Sequence, residues 1–182
     1  MFINRLSLKL NIETKLFFLF FLFTTFTFSQ TDVFEVCRTG SLEDIIKIYD
    51  INKTVVDSIN ENGYSTLTLA CYSKNVNIVS FLVGKVKNIN GNSKYGTPLM
   101  AATYKGSSEI VDILLKNNAL TDLQDIKGET AAHLAVMFKK IDIIKLLVEA
   151  KADFKIKNNN EKSPIDYAKL YNDKNINEIL KL

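Results

Sequence analysis

Hydrophobic and polar positions recur along this chain with a fixed period. Ile110, Val111, Ile113 and Leu114 lie at helical spacing, and Ile143, Ile144, Leu146 and Leu147 repeat the pattern further on. That spacing puts the apolar side chains on one face of a short helix. Ile78-Val79, Ile110-Val111, Ile143-Ile144 and Ile176-Asn177 follow one another at offsets of 32, 33 and 33 residues. A second block keeps the same offsets: Ser65, Thr97, Thr130 and Ser163 each precede a run that reads as the start of a helix. A hydroxyl side chain there can cap free backbone N–H groups. Pro98 and Pro164 come next, in the first turn, where a proline costs no hydrogen bond. Upstream of each hydroxyl residue lies a polar stretch with turn chemistry: Asn60-Glu61-Asn62, Asn92-Ser93-Lys94, Asp125-Ile126-Lys127 and Asn158-Asn159-Asn160.

The pattern predicts an all-α solenoid of helix–turn–helix units joined by β-hairpin-like loops, about five units including caps. Their approximate bounds are 32–59, 60–91, 92–124, 125–157 and 158–182. Each helix would have about 8–10 residues, fewer than the roughly 12–15 that an isolated helix needs in water. Neighbouring units must therefore bury one another's apolar faces.

The first 29 residues depart from this pattern. Arg5, Lys9 and Lys15 give a basic start with one acid, Glu13, and Leu16 to Phe28 contains no charge. Small residues at Thr27 and Ser29 fit a secretory cleavage site just before Gln30. The run is too short for a bilayer-spanning helix, which needs about 20 apolar residues. The expectation is a signal peptide over 1–29, a repeat domain over 30–182, and export to the periplasm or the extracellular space with no stable membrane span after cleavage.

Charge and chemistry narrow the function classes. The whole chain carries a net charge of +3, and loss of residues 1–29 leaves +1. A nearly neutral domain lacks the electrostatic footprint of a nucleic-acid binder. No phosphate loop, dinucleotide fingerprint, zinc-protease motif or nucleophile elbow is present. The only histidine, His133, has no evident nucleophile to serve, and one His with two Cys in separate units makes no metal set. Catalytic residues, metal ligands and cofactors are therefore expected to be absent. Cys37 and Cys71 occupy the same position in consecutive units, about one helix diameter apart, too far for a disulfide.

The stretches Thr97-Pro98-Leu99-Met100, Thr130-Ala131-Ala132-His133 and Ser163-Pro164-Ile165-Asp166 resemble the T-P-L-H helix start of the ankyrin repeat family, whose unit is 33 residues long. Val36 to Ile46 is similar to the opening of a first ankyrin unit, and Ala150-Lys151-Ala152-Asp153 to the family's G-A-D turn. The resemblance covers nearly all of 32–182. It implies that His133 ties adjacent turns by hydrogen bonds. It also implies that Gly63 and Gly128 take the hairpin position with positive φ. Tyr95 and Glu161 stand there in the other units, Gly96 can take over that role one residue later, and the last unit should be the loosest. Asn118 stands where a glycine usually ends the second helix.

The resemblance further implies a non-catalytic protein that binds another protein, and a monomer. In the family, partners contact the hairpin tips and the exposed side of the first helix, where the two positions after the small-residue pair of each unit face the partner. From the second unit onward they read Tyr72, Tyr104, Met137 and Leu170, then Ser73, Lys105, Phe138 and Tyr171. Tyr72, Tyr104, Lys105, Met137, Phe138, Leu170 and Tyr171 are the expected partner-binding residues; packing over the neighbouring helix is the alternative role for them. A secreted effector acting on host proteins, or an inhibitor or accessory subunit of an exported enzyme, is the alternative function.

Overall fold

In the computed structural model, the hydroxyl residues begin helices as their positions require. Ser65, Thr97, Thr130 and Ser163 accept hydrogen bonds from the backbone N–H groups of Thr68, Met100, His133 and Asp166 at 3.1–3.4 Å. Pro98 and Pro164 are the first residues of their helices. The structure describes residues 32–182 apart from Asn92, Lys94 and Tyr95. The proposed signal peptide over 1–29, and the turn role of Asn92, Lys94 and Tyr95, lie outside the described residues.

Ten helices, in five pairs, make up the described residues: α1 (Val33–Thr39) and α2 (Leu42–Ile51), α3 (Thr66–Tyr72) and α4 (Val76–Leu82), α5 (Pro98–Lys105) and α6 (Ser108–Lys116), α7 (Ala131–Met137) and α8 (Ile141–Glu149), α9 (Pro164–Tyr171) and α10 (Lys174–Leu180). A 3₁₀ turn at Lys53–Asp57 follows the first pair. First helices stack on first helices and second on second along the whole series. Two isolated antiparallel bridges, Ile59–Ser65 and Ser93–Gly96, mark two of the hairpins.

The core runs through the stack. Ile78, Val79 and Leu82, Ile110, Val111 and Leu114, and Ile143, Ile144 and Leu147 are all fully or almost fully buried. Each such side chain contributes about 1.5–3 kcal/mol through burial. Small residues let the first helices approach: Cys37, Ala70 and Cys71, Ala102, Ala135 and Ala168 have no exposure. Both thiols are free. Burial pushes the Cys37 thiol up to about 12 and raises the Cys71 thiol as well.

Polar groups lock the register between units. Asp57, Asn90 and Asp122 each accept the backbone N–H of a residue one unit on (Lys87, Leu120 and Asp153) at 2.8–3.0 Å. His133 is buried. Its Nδ1 accepts the Thr130 N–H at 3.0 Å, so the proton sits on Nε2, which donates to the Lys162 carbonyl of the next unit at 3.0 Å. Desolvation holds its pKa below the ordinary imidazole value.

Three of the hairpins share one design. Asn60, Asp125 and Asn158 each accept two backbone N–H groups through Oδ1. Gly63 and Gly128 have φ of 82° and 72°, and Gly96 has 106°. Glu161 is forced into the same left-handed region at 58°. Its turn keeps the usual hydrogen bond from the Glu161 N–H to Asn158. Asn118 likewise takes positive φ, at 65°.

Equivalent hairpin positions thus predict opposite outcomes. Glu161→Gly relieves a left-handed non-glycine residue and should stabilise by about 0.5–1 kcal/mol. The exposed Lys157–Glu161 pair it removes is worth little. Gly128→Ala should destabilise by at least about 1 kcal/mol, since its Cβ would sit 2.9 Å from the Asn159 backbone nitrogen. Urea unfolding of both variants measures the two signs; equal effects would contradict this account of the hairpin.

A second prediction concerns pH. The unfolded imidazole titrates near 6.5, and the folded one lower. The unfolded chain therefore takes up its proton first, and stability is lost as pH falls below about 6.5. His133→Gln should cost about 1–3 kcal/mol at pH 7.5, because buried groups lose their partners. It should also flatten the fall in stability between pH 7.5 and about 5.5. Urea midpoints across that range, with the same slope in both proteins, would refute the assignment.

Candidate functional site

The candidate site is a groove of about 890 Å³ between the first helices and the hairpins. Stacking places one turn of α3, α5 and α7 side by side, so residues a unit apart become neighbours. Leu69, Met100, Ala101, Leu134 and Met137 line its base, and Tyr72, Tyr104 and Phe138 form one wall. The opposite wall comes from hairpin residues Asn62 and Tyr64 and from Asp125, Ile126, Lys127 and Glu129.

The aromatic wall is continuous. The Tyr72 and Tyr104 rings stack at 6.1 Å with planes 9° apart, and Phe138 meets Tyr104 edge-on at 5.2 Å. Lys105 holds its Nζ 4.6 Å above the Tyr72 ring. The rings contact one another, yet Tyr72, Tyr104 and Phe138 keep 48%, 47% and 45% of their surface exposed. Met137 and Lys105 are half-buried.

Leu170 and Tyr171 differ from the other expected residues. Both are exposed, Leu170 by 73%, but neither lines the groove. Tyr171 packs on Tyr167 at 6.2 Å, and Tyr167 on His133 at 6.3 Å, which makes a separate aromatic group on α9. The structure therefore gathers Tyr72, Tyr104, Met137 and Phe138 around one groove, sets Lys105 beside it, and leaves Leu170 and Tyr171 apart.

The family resemblance points to the hairpin tips as partner contacts, but the sequence singles out no residue there. The polar stretch of the hairpin reads as turn, and only the stacking brings Ile126 and Glu129 opposite the aromatic rings. Ile126 is 64% exposed at the tip. Glu129 is half-buried, and burial, then the neighbouring Asp125, raises its pKa above the usual carboxylate value. Among the described residues no group of three or more His, Cys, Asp or Glu could hold a metal ion, and no helix is long and apolar enough to cross a membrane.

Comparison with known proteins agrees with this architecture. The family model for ankyrin repeats (3 copies) matches residues 33–125 and 117–181. An ankyrin repeat and SAM domain-containing protein of Rattus norvegicus is 32% identical over 122 residues, covering 65% of this chain and 14% of its own length. A fowlpox virus (strain NVSL) protein named for its ankyrin repeats is 32% identical over 143 residues, covering 78% of this chain and 25% of its own. A Danio rerio protein named as a palmitoyltransferase is 29% identical over 145 residues, covering 77% of this chain and 22% of its own. The chain thus spans a quarter or less of these relatives' own lengths. Ankyrin repeats are in general a non-catalytic module for protein–protein interaction. With the family model matched over 33–181, and with paired helices stacked in register, this chain belongs to the ankyrin repeat family.

Proposed function

We propose that this is an exported, non-catalytic ankyrin-repeat protein that binds another protein in the groove lined by Tyr72, Tyr104, Met137 and Phe138. The observation that carries the reading is the wall of stacked, half-exposed rings along a groove of about 890 Å³. Aromatic side chains combine large apolar area with few rotatable bonds, and they anchor protein interfaces. Lys105 adds a cation held over Tyr72 at the rim. Export is supported by the basic start, the uncharged run from Leu16 to Phe28 and the small residues at Thr27 and Ser29.

Capture from the source cell tests both parts. The tagged protein and a Tyr72→Ser, Tyr104→Ser, Met137→Ser variant are used to pull proteins from envelope and secreted fractions. The native form should capture a partner that the variant, still helical by circular dichroism, binds at least about tenfold less well. Identical capture by both forms would remove the groove from the reading. N-terminal sequencing of the protein recovered from those fractions should begin at Gln30; recovery only from the cytoplasm with Met1 intact would overturn export.

A further inference from the structure

We infer that the segment of the partner seated in this groove presents a lysine or arginine between large apolar residues, and that Glu129 receives it. The inference rests on the groove's being the protein-binding site.

The groove is apolar along its base and on its aromatic wall, which calls for apolar side chains in the occupant. Met100 and Met137, with adaptable thioether side chains, suit several shapes of these. The charge on the hairpin wall is more selective. Glu129 is half-buried, and its carboxylate makes no hydrogen bond or ion pair among the described residues. Asp125 beside it adds a second negative charge, while its Oδ1 is already taken by the Lys127 and Glu129 backbone N–H groups. Lys127 reduces the local negative potential without forming an ion pair with Glu129. Partly desolvated carboxylates without partners are costly, and a cation brought by an occupant removes that cost.

Position and contrast sharpen the point. Tyr64, Gly96 and Lys162 stand at the register of Glu129 in other units, so among these four units an acid occupies this position once. At the far end of the groove Arg38 already has an acid, Glu35, at 3.3 Å. Among the described residues that line the groove, Glu129 is the half-buried acid without a partner, and together with Asp125 it outweighs the exposed Lys127. A single fixed charge in an apolar channel sets register and direction of the occupant more than its affinity.

The test uses the full chain and three synthetic peptides of about ten residues, alike in a Leu, Phe and Ala frame, with Lys, Gln or Glu at the centre. Fluorescence polarisation should give the order Lys, Gln, Glu, with the Lys peptide at least about tenfold tighter than the Glu peptide. Glu129→Gln should erase the difference and leave the Gln peptide within about twofold, and Glu129→Lys should reverse the order. Equal affinities, a preference for the Glu peptide, or no binding by any peptide would overturn the inference. A Tyr72→Ser, Tyr104→Ser variant separates the two levels. If it loses all three peptides while charge order is absent, the groove reading survives and only the partner chemistry falls. If it binds as tightly as the native chain, the groove reading itself falls.

Discussion

A helix of seven to ten residues cannot persist alone in water, and every other feature of this chain follows from that constraint. Each helix buries its apolar face only because the next unit is there to cover it. Ile110, Val111 and Leu114 have no exposure, with α4 stacked on one side of their helix and α8 on the other. Stacking at a fixed offset then dictates backbone conformation at fixed register, whatever residue stands there. Lys74, Gly106, Lys139 and Asn172, at successive offsets of 32, 33 and 33, all take positive φ, though only one is glycine. Long-range packing overrules local preference at these positions, at a cost of about 1–2 kcal/mol per non-glycine residue.

Much of this was legible in the sequence because it is periodic. The hydroxyl caps, the prolines and the apolar pairs each recur at one spacing, and each has a single mechanical reading. Asn118 could be placed in a left-handed turn from its side-chain chemistry. The ladder of Asp57, Asn90 and Asp122 was not legible, although it is just as regular. Short polar residues in loops accept backbone N–H groups in many ways, and spacing alone does not say that the donor lies one unit on.

The candidate site was legible by half. Its aromatic wall comes from equivalent positions on successive helices, so the repeat register finds Tyr72, Tyr104, Met137 and Phe138 together. The same register points to Leu170 and Tyr171, yet both stand outside the groove, and the Tyr171 ring packs on Tyr167 within its own helix. The hairpin wall depends on how far each loop reaches over the helices, a tertiary quantity. Ile126 and Glu129 gain their meaning only from the rings opposite them. Buried polar groups divide along the same line: His133 satisfies both ring nitrogens and belongs to the scaffold, whereas the Glu129 carboxylate faces the groove without a partner.

The central claim is that the stack is held by its buried aliphatic faces and leaves the aromatic wall free to bind. The most direct measurement compares the unfolding free energy of two variants in urea. One is Tyr72→Ser, Tyr104→Ser, Phe138→Ser, and the other is the single core truncation Leu114→Ala. The core truncation should cost about 2–5 kcal/mol, and the triple change on the wall should cost less, at about 0.5–1.5 kcal/mol for each aromatic pair it removes. A wall variant that unfolds, or is destabilised more than the core variant, would mean that the rings hold the repeats together and that the groove is packing.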